Sequence, residues 1–483
     1  MYVAKVPNRG SPPAVLLRES YREAGKVKNR TLANLSSWPE AKVDALTRVL
    51  KGQPPAAALE GAFEITRSLP HGHVAAVLGT LRDLGLEELI DPAPSRQRDL
   101  VAAMAVAQVT GPDSKLAIAR GLRAETAASS LGEVLGLGSC DEDDLYAAMD
   151  WLLEHQDTIQ KKLAARHLSA GSLVLYDLSS SYFEGTTCEL AKLGYNRDGK
   201  KGLLQVNYGL LTDARGCPVA VSVHEGNTAD SRTFMPAVHK LREDFGIERM
   251  VMVGDRGMVS QKAIDEMREA DGIGWITALK SASIRALLEQ GHLQMDLFDE
   301  RNLLELSSPD YPGERLVACR NEALARLRAH KREELLAATE RHLEKIKARV
   351  DAGKLSGQDA IGVRVGKIIN QYKVAKHFDL SIADAALSWA RKQDSLASEA
   401  ALDGLYIVRT SVPATQMDAP ECVRNYKSLA NVERAFRSLK TIDLKVRPIH
   451  HRKADRVRAH IFLCMLAYYV EWGAADKAAN LGR

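Results

Sequence analysis

From residue 172 the chain changes texture: short apolar runs rich in β-branched residues begin to alternate with helical spacings, and two of the runs end in aspartate. Ser172–Tyr176 reads as a strand ending at Asp177. Leu203–Thr212 and Pro218–His224 read as two more, joined by a turn at Asp213–Gly216. Arg249–Gly254 reads as a fourth strand ending at Asp255, and Ile273–Leu279 as a fifth, with helical spacing over 231–245 and 260–271. Three strands, helix, strand, helix, strand is the order of a mixed α/β sheet, and open α/β sheets carry their sites at the carboxyl ends of strands. A carboxylate beside a core is costly unless it is paired or binds a metal. An isolated aspartate at a strand end is most often a turn or helix cap, so position alone does not decide the role.

The flanks divide the rest. Residues 1–60 form a small basic β/α module, with a hairpin over Ala14–Ser36 turning at Ala24–Gly25. Residues 61–170 are rich in Ala and Leu at helical spacing, broken at Pro92–Pro94 and Gly136–Cys140, and are expected to be a helical DNA-binding region, although no clean helix-turn-helix pattern is present. Residues 171–281 hold the first part of the sheet. Residues 282–400 interrupt it as an inserted domain, with strands near Asn302–Leu306 and Arg315–Cys319, a charged helix over Glu322–Val350 and a further helix over 384–400. Residues 401–483 return to the core with a strand at Leu405–Thr410, a helix from Val423 to Leu439 and an apolar helix over 459–472.

The 423–439 helix adds a third acid. Tyr426, Glu433 and Lys440 are spaced by seven, about 700° of helix, and so share one stripe, with Arg437 one turn beyond Glu433. Leu429, Val432, Phe436 and Leu439 make the adjoining apolar stripe that packs on the sheet, and Arg434 extends the basic face. Carboxylates are hard oxygen donors suited to Mg²⁺ or Mn²⁺. Two such ions about 3.5–4 Å apart support in-line phosphoryl displacement, and three carboxylates suffice if Asp177 bridges both ions.

Charge supports a phosphate partner locally rather than globally. The formal net charge is only +4 over 483 residues. Residues 1–51 nevertheless carry ten Lys/Arg against four Asp/Glu, and residues 424–458 eleven against three, as a phosphate-binding surface needs. Six scattered cysteines with no C-x-x-C exclude a disulfide framework or zinc ribbon and suit a reducing cytoplasm. The longest apolar run, Ile461–Val470, is about half a bilayer span, so no membrane partner is expected. His224-Glu225 lacks the second histidine of a zincin, and no P-loop or dinucleotide fingerprint is present, so no nucleotide cofactor is expected.

Together these motifs resemble a DDE transposase of bacterial insertion sequences, of the insertion-sequence-four superfamily with its Tyr-Arg-Glu-Lys signature. Tyr426, Glu433 and Lys440 stand in register, while Leu429 occupies the arginine position. HEGNTAD at 224–230 is similar to the family's Gly-Asn-x-x-Asp stretch. The resemblance implies an RNase H-like fold with a largely β insertion, here more helical, and Asp177, Asp255 and Glu433 as the catalytic, metal-binding triad. It implies Tyr426 and Lys440 at the DNA end, to which helical geometry adds Arg434 and Arg437. It also implies nicking at transposon ends followed by strand transfer, by a homodimer when two ends are paired. Two other readings stand beside it: a catalytically inactive, transposase-derived DNA-binding protein, and an RNase H-like nuclease that cuts without joining.

Overall fold

The computed structural model describes residues 1–53, 67–294, 298–441 and 443–481. The chain separates into two compact units, Met1–Pro70 and His71–Arg483. The boundary expected at residue 60 lies outside the described residues.

The first unit is an antiparallel sheet of β1 (Tyr2–Asn8), β2 (Ser11–Glu23) and β3 (Lys26–Asn34), followed by the helix Glu40–Leu50. The β2–β3 turn falls at Ala24 and Gly25, both with positive φ (51° and 77°), the geometry a two-residue hairpin turn requires.

The second unit is built on an eight-stranded sheet. Its strands are β4 (Ser172–Tyr182), β5 (Gln205–Asp213), β6 (Pro218–Glu225), β7 (Met250–Val253), β8 (Ile273–Ala278), β9 (Leu303–Leu306), β10 (Arg315–Arg320) and, after the hairpin strands β11 (Phe378–Ala383) and β12 (Ala386–Arg391), β13 (Leu405–Thr410). The spatial order is β6-β5-β4-β7-β8-β13-β10-β9, with β4–β7 and β7–β8 parallel and the other pairs antiparallel. This is the mixed α/β sheet that the sequence pattern predicts.

Four local expectations are corrected. Asp177 does not end its strand: β4 runs on to Tyr182, and Asp177 pairs with Leu210 in mid-strand. The strand continues because Ser179, Ser180 and Ser181 are buried in the ladder, and the Ser181 hydroxyl meets the Tyr208 hydroxyl at 2.9 Å. Residues 230–244 form a 3₁₀ turn, a short α-helix and a π turn rather than one helix. The segment expected to interrupt the sheet from residue 282 instead supplies β9 and β10 to its edge. Within 384–400, residues 386–391 are a strand rather than helix. Their burial alternates, with Leu387 and Trp389 inward, and they pair in register with β11 over a core of Leu343, Val350 and Ile361. Beside that hairpin the 30-residue helix Glu322–Asp351 forms from its charged sequence, with Asn321 as N-cap.

The apolar run 461–470 is the centre of the helix Ala454–Leu481, packed against the helices Arg96–Thr110 and Glu142–Glu154. Leu100–Val106 in the former are also buried, so both helices are core elements. No described helix is long and apolar enough to cross a membrane.

Candidate active site

The parallel pairing of β4 and β7 brings two of the three acids together. Its last rung joins Leu175 to Val253, and Asp177 and Asp255 each lie two residues further on. Chain crossover thus places side by side two carboxylates 78 residues apart in sequence. The third arrives on the helix Leu429–Lys440, whose face of Val432, Ala435, Phe436 and Leu439 is buried against the sheet. The Phe436 ring meets Tyr208 edge-on, with centroids 5.7 Å apart. With that face inward, Glu433 is exposed and points into the same cleft, of about 500 Å³, that Asp177 and Asp255 line.

Each acid is held differently. Asp177 Oδ1 accepts the Leu178 amide at 2.8 Å. Burial pushes its carboxyl up to about 7; Asp255 and Glu433 push the same way, against the Leu178 amide and Arg197. Asp255 Oδ1 accepts the amides of Gly257 (2.8 Å) and Met258 (2.9 Å), so one of its oxygens performs the turn-capping role common for such an aspartate. Among the described residues, neither its Oδ2 nor the Glu433 carboxylate has a hydrogen-bond or ion-pair partner. The three carboxylates face one space without converging on a point. Among the described residues, the group whose ligand atoms all lie within 4.8 Å of one another is His167, Asp213 and Cys217, none of which lines this cleft.

The cleft walls contain residues that sequence reasoning did not single out. Arg197 Nη2 donates to both oxygens of Asp230 at 2.6 Å. Asp198, with its side chain 2% exposed, accepts from Lys440 Nζ (3.2 Å), from Arg447 Nη1 and from the Tyr182 amide (3.0 Å). Asp230 closes the Gly-Asn-x-x-Asp stretch and could have been picked out there. Asp198, Arg197 and Arg447 carry no local signal, because their partners lie far away in sequence.

Of the four DNA-contact candidates, Arg437 and Lys440 line the cleft, and Lys440 is tied to Asp198. Arg434 does not line it: it borders a separate pocket with Arg215, Tyr468 and Trp472. Tyr426 lies on a different helix, Ala419–Lys427, which stops at Ser428, where the hydroxyl donates to the Asn425 carbonyl at 2.6 Å. The single stripe from Tyr426 to Lys440 is therefore broken. Tyr426 nevertheless sits close enough to Asp255 and Glu433 to feel them: burial first, then Asp255, pushes its phenol up to about 12.

Residues 170–470 match the Transposase DDE domain family, and residues 3–58 match the N-terminal domain of IS1634 family transposases. The chain belongs to the DDE transposase family and is a DDE-type DNA transposase of an insertion sequence. No curated protein matches it. A cryo-EM structure of a piggyBac transposase synaptic complex with hairpin DNA is similar over 85% of this chain and 74% of that one, at 7% identity and TM-score 0.40. A Mos1 transposase paired-end complex with left transposon end is similar over 40% of this chain and 62% of that one, at 10% identity and TM-score 0.17.

Enzymes of this family work with divalent metal ions, and the donor set of the cleft fits one. It offers only hard oxygen ligands, without cysteine or histidine. Burial first, and then the charges of Asp255 and Glu433, disfavour the ionised Asp177, and a cation in the cleft relieves both.

Proposed function

We propose that Asp177, Asp255 and Glu433 hold two divalent ions, Mg²⁺ or Mn²⁺, and that this cleft cuts DNA at the ends of the insertion sequence and joins it to a target. The observation that carries the reading is the arrival of three carboxylates, from two neighbouring strands and one distant helix, at a single cleft edged by Arg197, Arg437, Lys440 and Arg447. When bound, the ions lower the barrier to in-line displacement at phosphorus. Asp177, whose carboxyl feels both Asp255 and Glu433, would be the ligand common to the two ions. Arg437 offers its guanidinium to a strand-end phosphate. Asp198 holds Lys440 and Arg447 at the rim, so that their positive charge faces the strand without a large loss of side-chain freedom on binding.

The sheet order, with antiparallel β6-β5-β4 followed by parallel β7 and β8 and a helix-borne third acid, supports an RNase H-like core. Tyr426, Glu433 and Lys440 support membership of the insertion-sequence-four superfamily, with Leu429 replacing the arginine of its signature. Tyr426 then acts beside Asp255 on the DNA end, and Arg434, which does not line the cleft, contacts DNA outside it. Pairing of two ends calls for a homodimer on DNA.

The test is Mn²⁺- or Mg²⁺-dependent nicking of a supercoiled plasmid carrying the element's ends. Asp177→Ala, Asp255→Ala and Glu433→Ala are each expected to abolish nicking and strand transfer while retaining end binding. Nicking by any one of them at the parental rate removes that residue from the metal site.

A further inference from the structure

A second cavity, of about 380 Å³, shares Arg447 with the cleft. It is lined by Lys115, Lys445, Arg447, His450, His451 and His460, drawn from three parts of the fold. Lys115 opens the helix Lys115–Leu122, residues 445–451 form the loop after the Glu433 helix, and His460 lies on the helix Ala454–Leu481. Lys115 is 5% exposed, yet among the described residues its ammonium has no hydrogen-bond or ion-pair partner. Burial holds its pKa down, and only the Cys464 thiol acts the other way. Burial also pushes His451 down to about 4, with Lys115, Arg456 and His450 adding to the effect. His460 is lowered by burial, then by His451, Lys115 and His450, and its Nε2 lies 3.2 Å from the Val446 carbonyl. Among the described residues Asp113 is the one acid in the lining, and its Oδ1 already accepts the Ser114 amide at 2.6 Å.

Basic groups gathered in a cavity without counter-charge destabilise a fold unless an anion joins them. The Lys115–Leu122 helix begins at the same wall, so the positive end of its dipole adds to the field there, with Ser114 Oγ accepting the Ala117 amide. We propose that this cavity is an anion pocket taking a backbone phosphate of the DNA strand held in the neighbouring cleft, with Lys115, His451 and Arg447 as its donors. Arg447 links the two sites, since Nη1 engages Asp198 on the cleft side while the residue also lines the cavity. That the phosphate belongs to DNA rests on the proposed function; that the pocket selects an anion does not.

The experiment uses the whole, metal-free chain. Inorganic phosphate, against chloride at matched ionic strength, is expected to raise the wild-type unfolding temperature by several degrees and to leave that of Lys115→Met unchanged. In chloride, Lys115→Met is expected to be more stable than wild type, because it removes a buried, unpaired charge while keeping the apolar stem. A second variant, His451→Gln, is expected to weaken the phosphate shift. A labelled duplex carrying the element's end is expected to bind Lys115→Met about tenfold more weakly, with the slope of log K against log salt smaller by about 0.9. An equal phosphate shift in wild type and Lys115→Met, or a Lys115→Met that is less stable in chloride, overturns the pocket. A lost phosphate shift with unchanged duplex affinity overturns the DNA assignment and leaves a free-phosphate site. Neither readout involves cleavage, so failure of the metal-site reading produces a different pattern.

Discussion

Replacing Asp198 is the perturbation that most sharply tests how the cleft wall is built. Its carboxylate is 2% exposed and accepts from Lys440, Arg447 and the Tyr182 amide. Asp198→Asn keeps the shape but leaves two cations without a counter-charge. Removing one partner of a buried pair costs about 3–5 kcal/mol. The lower end, about 3 kcal/mol, applies because the Arg447 side chain is 27% exposed and Lys440, though only 10% exposed, also lines the open cleft, so water reaches both cations. Lys440→Met alone leaves Asp198 satisfied by Arg447 and Tyr182, so it costs about 1 kcal/mol, one net hydrogen bond. In the double variant the lysine no longer needs a partner, and the total should stay near 3 rather than reach 4 kcal/mol, a coupling of about 1 kcal/mol. Urea denaturation of the metal-free chain, with m held constant across the four proteins, reads these values. Additivity of the two single changes to within about 0.3 kcal/mol would refute the argument that Asp198 holds Lys440.

Other expectations follow from single contacts. Gly226→Ala puts a Cβ 2.0 Å from the Gln205 carbonyl and 2.7 Å from that of Lys192, both backbone, so the end of β6 must shift and carry Asp230 with it. A stability loss of about 1–3 kcal/mol should accompany slower nicking, and an unchanged unfolding temperature would contradict the packing. Glu314→Ala should cost about 3–5 kcal/mol in urea, because the fully buried carboxylate accepts from Arg409 at 2.5 and 2.6 Å and from Arg268 at 3.1 Å; a loss below about 1 kcal/mol would show the pair to be dispensable. Stability should also depend on acid. The folded His451 pKa is lowered from 6.5 to about 4, so its contribution is present above 6.5 and is lost as pH falls from there towards 4. His451→Gln should flatten that part of the profile measured by thermal unfolding, and an unaltered profile would exclude His451 as its source.

Much of the sheet is legible in the sequence because its strands are short apolar runs bounded by turns, and because Asp177 and Asp255 fall next to such runs. The three acids of the cleft could be singled out by type and position, but not their separation. The extent of β4 is hidden because serine reads as a turn former, whereas here the hydroxyls are buried in the ladder. The break at Ser428 is hidden because a seven-residue spacing looks the same whether one helix or two carries it, so the sequence alone puts Tyr426 on one stripe with Glu433. Strand β12 alternates correctly, but its Ala and Leu content favours helix, and only pairing with β11 decides between them. Asp198 could not be found from sequence, since Lys440 lies 242 residues away and no local pattern announces the pair.

The most direct measurement of the metal site is the anomalous diffraction of crystals of the chain with end DNA and Mn²⁺. The account predicts two peaks about 4 Å apart, both touching Asp177, one reached by Asp255 and the other by Glu433. Manganese found elsewhere, at His167, Asp213 and Cys217 for example, with none between the three cleft acids, would contradict it.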